Sequence, residues 1–326
     1  MPRYWGFWTR GKLDLLRRYL DAFTTASKSQ SEILYLDLFG GQPENRERWT
    51  EDVLDGSARL ALSTTDAPFT RLRFFELEPY ATRLRSAIAP LTTGRDVVVT
   101  AGDCNSTIGP VLSSLAPYNW APTFAFVDPN GPDVHWSTLE KLSRFKKPGR
   151  TKTEIWLLLA AGMFIRTLRT DGTVRADDAA KLDLMYGTGQ WRAIYEARLG
   201  DRLEPGDARE EYVNLMRWRL QHVLGYRWTH PLEIFNEGGA SIYHMIFATD
   251  HEAGNRIMTS LYNAAADEFP RMREQARLLR SRRVEKEAGV QSLFGDEDLA
   301  QVSPRGPREQ LYVHAEPWVP YGASGD

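Results

Sequence analysis

The clearest pattern in the chain is a series of short apolar runs that each lead to an acidic residue. The first run, residues 33–36, leads to Asp37, and later runs lead to Glu76, Asp103 and Asp128. Near-continuous apolar runs of this length are typical of parallel strands that are buried on both faces of a sheet. In open α/β sheets, ligands bind beyond the carboxyl ends of such strands. The pattern therefore predicts acidic side chains along a ligand-binding edge.

The remaining pattern predicts a three-layer α/β fold with a mainly parallel seven-stranded sheet. Apolar residues at helical spacing over 9–23 predict a helix before the first strand. A fifth strand is predicted from Glu154, and a mainly helical insertion over about 161–225. Two runs at 232–235 and 241–249 then predict a hairpin that makes the last strand antiparallel. A helix over 251–269 follows.

Two predicted turns have residues that suit a close approach to a ligand. Gly40 and Gly41 follow the first strand, and glycine lets a backbone come near a bound group, although tight turns also use glycine for steric reasons alone. Asp128 and Asn130 flank a proline, whose ring fixes φ. We therefore expect these two polar side chains to be held in place for catalysis or substrate positioning, with a purely structural turn as the alternative.

Three further polar residues follow the second and third strands. A carboxylate at Glu76 can accept hydrogen bonds from both hydroxyls of a ribose, as acids at this place do in nucleotide-binding folds. Asp103 and Asn105 follow the third strand, where each is a candidate ligand-binding group or a cap for the next helix.

Other polar positions have mainly structural interpretations. Residues 42–55 are polar and predict a loop, after which Ser57 is a candidate N-cap of a short helix. Lys12 on the first helix is free to face the ligand edge. His244 lies inside an apolar strand, and we expect it to be a buried histidine with satisfied hydrogen bonds rather than a base.

Composition narrows the environment but not the activity. The 326 residues carry a formal net charge of −2 and include one cysteine, Cys104. A single cysteine excludes an intramolecular disulfide and any multi-cysteine metal site, and it suits a reducing cytoplasm. The amino terminus has no signal pattern, and no apolar run reaches membrane-spanning length. We expect a cytoplasmic protein.

Basic residues concentrate in two stretches, 141–152 and 271–283. Either stretch could contact nucleic-acid phosphates, with a solvated helix face or an acidic partner surface as the alternatives. The tail from Gly289 is rich in proline, glycine and charge, and we expect it to be poorly ordered. Within it, residues 291–294 are a candidate docking peptide.

Taken in order, these motifs resemble the Rossmann-like class of S-adenosylmethionine-dependent methyltransferases. The resemblance implies S-adenosylmethionine as the cofactor, and methyl transfer from this cofactor requires no metal. It implies cofactor-binding roles, from the methionine end through the ribose to the adenine side, for Asp37, Phe39, Gly40, Gly41, Glu76, Asp103, Cys104, Asn105 and Asp128. It also implies that Asp128 and Asn130 form the catalytic loop.

More narrowly, the chain resembles the three-Cys-motif partner protein family, called TcmP. The matching stretches are residues 8–13, 35–40, 56–57, 102–105, 127–131 and 243–249. That family is defined by its pairing with a three-cysteine protein that resembles radical S-adenosylmethionine enzymes, so the resemblance implies such a partner. It also implies a methyltransferase-like domain over 1–270, followed by a basic helical extension and tail over 271–326.

Two departures from the methyltransferase pattern keep other functions open. Gln42 and Pro43 stand where further glycines are usual, so we expect the amino-acid end of the cofactor to be held differently. Asn130 and Gly131 replace the second proline and the aromatic residue of enzymes that methylate base amino groups. The favoured function is a methyltransferase. The alternatives are a non-catalytic partner subunit and a factor that grips nucleic acid.

Overall fold

The central element of the protein is a seven-stranded sheet. The structure is a computed structural model, which describes residues 4–47, 52–162, 168–169, 171–287 and 312–323. The strands are β1 (Tyr4–Trp5), β2 (Leu34–Asp37), β3 (Glu44–Glu47), β4 (Val53–Asp55), β5 (Arg71–Glu76), β6 (Asp96–Ala101), β7 (Thr123–Val127), β8 (Glu154–Leu159), β9 (Trp228–Phe235) and β10 (Ser241–Thr249). The α-helices are α1 (Phe7–Ala26), α2 (Ser57–Leu62), α3 (Tyr80–Ile88), α4 (Cys104–Ser114), α5 (Trp136–Arg144), α6 (Ala176–Tyr186), α7 (Trp191–Leu199), α8 (Pro205–His222) and α9 (Glu252–Glu287). Short 3₁₀ turns lie at Ala89–Leu91 and Ala116–Tyr118.

The strand order of this sheet is β6-β5-β2-β7-β8-β10-β9. The first five strands in that order are parallel, whereas β10 runs antiparallel to both β8 and β9. The chain moves outward from β2 to β6 and then crosses back to β7. A topological switch point therefore lies between β2 and β7. This topology confirms the predicted α/β fold with a mainly parallel seven-stranded sheet, including its antiparallel last strand and helical insertion.

Burial on both faces explains why the strands read as continuous apolar runs. In β2, Leu34 and Leu36 enter a core formed with α4, α5 and the insertion helices. Tyr35, between them, enters the opposite core, formed with α1, α2, α3 and α9. Successive side chains of a strand point to opposite faces, so both must be apolar when helices cover both sides. The result is three layers.

The prediction of a loop over 42–55 is wrong in part, because this segment contains a hairpin of β3 and β4. This hairpin pairs in parallel with β1 at the amino terminus and forms a separate three-stranded sheet. Each strand has only two to four residues, too few for a periodic pattern to be recognised. The N-cap of α2 is Gly56 rather than Ser57, whose hydroxyl bonds to Asp37 instead.

The hairpin of β9 and β10 is longer than its apolar pattern predicts. β9 begins at Trp228 and includes Pro231, which pairs with Ile246. Proline cannot donate a backbone hydrogen bond, but β9 is the edge strand of the sheet, where one missing donor is tolerated.

The carboxyl-terminal part also differs from its prediction, since residues 312–323 pack against α8 instead of forming part of a poorly ordered tail. The Asn214 amide donates to the Trp318 carbonyl at 2.9 Å and accepts from its N–H at 3.0 Å. The buried Arg217 guanidinium donates to the Ala315 carbonyl. The candidate docking peptide at 291–294 lies outside the described residues.

Helix α9 runs through the predicted boundary at residue 270 without a break and packs along α1. The arginine-rich stretch is therefore continuous with the helix that covers the sheet. Within the described ranges, no helix combines the length and the apolar character needed to cross a membrane.

Candidate functional site

A cavity of about 880 Å³ opens at the carboxyl ends of β2, β5, β6 and β7. It lies at the switch point of the sheet, where α/β folds bind ligands. The sequence-predicted residues that line it are Phe39, Gly40, Gly41, Glu76, Asp103, Asn105, Asp128 and Asn130. The fold therefore brings four separate turns together around one space.

Glu76 joins the first two of these turns. Its carboxylate accepts a hydrogen bond from the Gly41 N–H at 2.7 Å and another from the Leu77 N–H at 2.8 Å. Gly41 has a φ of 59°, which favours glycine. A carboxylate can accept about four hydrogen bonds. Two acceptor positions therefore remain for a ligand in the cavity.

Apolar surface lies beside this carboxylate. Leu77 and Tyr80 line the cavity, with 55% and 39% of their surfaces exposed. Both residues lie in the turn and first residue of α3, next to the end of β5. An exposed leucine and an exposed tyrosine beside a fixed carboxylate can hold the flat face of a ring whose attached group is bound by Glu76.

Asp37 lies beneath the cavity and does not line it. Its side chain is fully buried. The carboxylate accepts hydrogen bonds from the Tyr35 hydroxyl at 3.2 Å and from the Phe39 N–H at 3.3 Å. Burial raises the pKa of Asp37 to about 7, and the charge of Asp128 adds to this, whereas the hydrogen bonds from Ser57, Phe39 and Tyr35 oppose it. Asp37 therefore supports the turn after β2 from below.

The start of α4 is held by its own side chains. Asp103 is the N-cap and accepts from the Asn105 N–H at 2.9 Å, so the capping alternative describes its geometry. The Cys104 side chain is buried in the core and does not line the cavity. Burial, followed by the charge of Asp103, raises the pKa of this thiol to about 12.

Asn105 connects α4 to the loop after β7. Its amide nitrogen donates to Asp103 and to the Asp133 carbonyl at 2.8 Å, while its amide oxygen accepts from the His135 N–H at 2.9 Å and the Thr138 hydroxyl at 2.8 Å. Because its amide nitrogen and its amide oxygen are both engaged in these bonds, Asn105 has a structural role in the wall of the cavity.

Asp128 contacts Lys12 of α1, in an ion pair whose side chains are only 20% and 13% exposed. The sequence left the direction of Lys12 open, and the structure places it in the cavity. Asn130 lies at the exposed rim, two residues beyond Asp128. The predicted catalytic loop thus carries one residue paired inside the cavity and one at its mouth.

Tyr243 is the main residue that sequence reasoning missed. It lines the cavity, and its buried hydroxyl has no hydrogen-bond partner among the described residues. Burial and then the charge of Asp128 raise its pKa well above the usual value, so the hydroxyl stays protonated. Strand direction could have revealed it. Because β10 is antiparallel, its first residues lie at the carboxyl edge of the parallel strands.

The next residue, His244, is buried as predicted. Burial, followed by the charges of Arg209 and Arg217, lowers its pKa to about 3, so its ring is neutral. The expectation of satisfied hydrogen bonds is wrong for Nδ1, which has no partner in the described part of the chain.

The cavity carries more negative than positive charge. Its acidic side chains are Glu76, Asp103, Asp128 and Asp133, against the two lysines Lys12 and Lys181. Such a lining favours a cationic ligand over an anionic one. The described residues contain no group of three or more His, Cys, Asp or Glu side chains that could hold a metal ion.

Much of the charge in the two basic stretches is balanced locally. In 271–283, Arg271 pairs with Asp267 at 2.7 Å and Arg280 approaches Glu237 at 3.8 Å. In 141–152, Arg144 pairs with Glu140 at 3.5 Å and Lys152 with Asp250 at 3.7 Å.

Comparison with known proteins gives matches among solved structures only. No protein-family model matches the chain, and no curated protein matches it. Protein LPL1258 from Legionella pneumophila str. Philadelphia 1, of family model DUF519, is 12% identical with a TM-score of 0.40, over 72% of this chain and 84% of that one. An O-methyltransferase from Bacillus cereus, in complex with SAH, is 14% identical with a TM-score of 0.35, over 71% and 79%. Likenesses of this extent carry no functional argument.

Proposed function

We propose that the protein is an S-adenosylmethionine-dependent methyltransferase. The observation that carries the proposal is the position of Glu76. Its carboxylate is fixed by two backbone N–H groups, keeps two acceptor positions, and lines a cavity at the switch point of the sheet. That arrangement suits the two hydroxyls of a ribose.

The rest of the cavity fits the other parts of this cofactor. The apolar faces of Leu77 and Tyr80 lie where an adenine attached to that ribose would stack, and the turn at Gly40 and Gly41 leads toward the methionine end. The excess of carboxylates suits a sulfonium cation. When bound, S-adenosylmethionine would supply a methyl group activated by the positively charged sulfur. About 880 Å³ is near the upper end of the range for small-molecule sites and leaves room for an acceptor.

Asp128 and Asn130 would orient the acceptor. The ion pair with Lys12 holds the Asp128 carboxylate on the cavity wall. The carboxylate would therefore lose less conformational freedom in the reaction. Alignment of a nucleophile with a methyl group is chiefly a matter of positioning, and positioning can supply about 7–11 kcal/mol of a barrier.

The motif resemblance to the TcmP family supports a finer form of the proposal, in which a three-Cys-motif protein is the partner. The local pairing of Arg271 and Arg280 gives little support to a nucleic-acid acceptor held by that helix. Copurification with the three-Cys-motif protein would test the partner separately from the cofactor.

Calorimetric titration with S-adenosylmethionine and S-adenosylhomocysteine tests the function directly. We expect micromolar binding, with NAD as a negative control, and a loss of at least about tenfold in Glu76→Ala because a charged hydrogen-bond partner is removed. Glu78→Ala is the matched control, since Glu78 is exposed on the same turn and bonds to Thr82 instead. Absence of binding at millimolar ligand would reject the enzyme and favour a non-catalytic partner subunit.

A further inference from the structure

The cavity has a second half beyond Asp128, away from the residues proposed to hold the cofactor. Its walls come from α1, the end of β8 and the start of β10. The side chains that form them include Trp8, Leu13, Leu158, Ala160, Ile242 and Tyr243. Because most of these side chains are apolar, this half suits a ligand with an apolar body.

The Tyr243 hydroxyl is the polar group in this half that lacks a partner. The residue is 8% exposed, and its hydroxyl is buried without a hydrogen bond in the described part of the chain. A buried hydroxyl without a partner destabilises the folded protein, so a ligand atom that bonds to it gains affinity. The ligand should therefore place a polar atom at Tyr243.

The Lys12–Asp128 ion pair restricts the charge of that ligand. The ammonium and the carboxylate are both largely buried and already neutralise each other. An anionic ligand would have to compete with Asp128 for Lys12, next to a carboxylate that repels it. A neutral group can accept from Lys12 or donate to Asp128 without separating the pair.

We propose that this half of the cavity binds a neutral hydroxyl compound with an apolar body as the methyl acceptor, and that Tyr243 positions its oxygen. The inference rests on the proposed methyltransferase function. Lys12 and Tyr243 both donate hydrogen bonds, and such donors stabilise the negative charge that develops on an oxygen nucleophile. An amine acceptor develops positive charge instead, so these two hydrogen-bond donors give it no such stabilisation.

The reaction balances with the groups present. The acceptor oxygen attacks the methyl carbon of the sulfonium, so the O–CH₃ bond forms while the S–CH₃ bond breaks and its electron pair returns to sulfur. The hydroxyl proton of the acceptor passes to the Asp128 carboxylate. The products are a methyl ether and a neutral thioether, and no oxidant or reductant is needed.

Three probes that share one apolar body test the acceptor class. We would titrate p-cresol, p-toluate and p-toluidine into protein saturated with S-adenosylhomocysteine, and then measure transfer of an isotopically labelled methyl group from S-adenosylmethionine. We expect p-cresol to bind at least about tenfold tighter than the anionic p-toluate, because only p-toluate brings an unpaired charge to the buried ion pair. We expect faster methyl transfer to p-cresol than to p-toluidine.

Two tyrosine variants separate the acceptor site from the cofactor site. Tyr243→Phe should weaken p-cresol binding by about tenfold while the affinity for S-adenosylhomocysteine stays within about twofold. Tyr118→Phe is the matched control, because Tyr118 is half-buried beneath Arg71 and does not line the cavity. It should change neither affinity.

Several results would overturn the proposal. These are absence of p-cresol binding to the loaded protein, equal or tighter binding of p-toluate, faster transfer to p-toluidine, and a Tyr243→Phe variant that binds p-cresol normally. Failure of S-adenosylhomocysteine itself to bind would be seen first and would reject the methyltransferase function instead.

Discussion

At the scale of single residues, Glu154 is a carboxyl group buried outside the cavity. It lies at the start of β8, is 5% exposed, and accepts hydrogen bonds from the Tyr19 hydroxyl and from the Thr249 hydroxyl at 2.7 Å. Burial raises its pKa from 4.5 to about 7, and Asp250 adds to this, although the bonds from Tyr19 and Thr249 oppose it. The folded protein therefore keeps a proton that the unfolded chain releases.

This difference predicts how stability depends on pH. Since the pKa is raised on folding, the contribution of Glu154 to stability is fully present below pH 4.5 and is lost as the pH rises to about 7. Glu154→Gln should lack that loss. Between those pH values, the free energy of unfolding measured in urea should fall by about 3 kcal/mol more in the wild type than in the variant. Parallel pH profiles would contradict the prediction.

At the scale of elements, the start of α2 depends on a close approach between two backbone segments. A β-carbon on Gly56 would lie 2.1 Å from the carbonyl oxygen of Gln42. The Gly56 N–H also donates to the Pro43 carbonyl at 2.9 Å. The φ of Gly56 is −73°, which any residue can adopt. Glycine is therefore required here because it has no β-carbon, and not because of its backbone conformation. The approach fixes where Gln42 and Ser57 line the cavity.

Gly56→Ala should therefore destabilise the protein by about 1–3 kcal/mol and weaken binding of S-adenosylhomocysteine, because the backbone must move. Gly109→Ala is the matched control. Gly109 lies within α4, with no atom within 4 Å of an added β-carbon. Alanine there should stabilise the helix by about 0.5–1 kcal/mol. Urea unfolding and calorimetry would measure both variants, and equal effects would contradict the steric argument.

At the scale of the whole molecule, the segment at 312–323 ties the end of the chain to the helical insertion and to β9. The Trp318 indole donates to Glu211 at 2.8 Å, and the Tyr312 hydroxyl lies 3.0 Å from Nδ1 of His230. The ring centroids of His314 and His230 are 4.5 Å apart. The segment therefore packs over polar groups of α8 and β9 and supplies hydrogen-bond partners to them.

Removal of residues 312–326 should lower the free energy of unfolding by about 2–4 kcal/mol, because the Arg217 guanidinium loses the Ala315 carbonyl and the Asn214 amide loses both bonds to Trp318. Val313→Ser is the control, since Val313 is 79% exposed and should be neutral. A truncated chain as stable as the full one in urea would show that these contacts contribute nothing.

The sequence by itself determined the sheet, its acidic edge and the turns that line the cavity. Burial on both faces leaves a continuous apolar run in each strand, and the residue that ends the run, such as Glu76 or Asp128, is readable beside it. These features are local, since neighbours in the sequence define them. Short or edge strands with polar residues, such as β3 and the first part of β9, escaped because two to four residues carry no period.

Only the tertiary structure decided how the cavity is completed. Lys12 and Asp128 are 116 residues apart, so their pairing depends on how α1 crosses the sheet. Tyr243 reaches the cavity because β10 runs antiparallel, and Asn105 becomes part of the wall because the loop after β7 folds over α4. A residue pattern encodes which side chains prefer burial. The partner that each polar group meets depends on strand order and direction, which bring distant segments together.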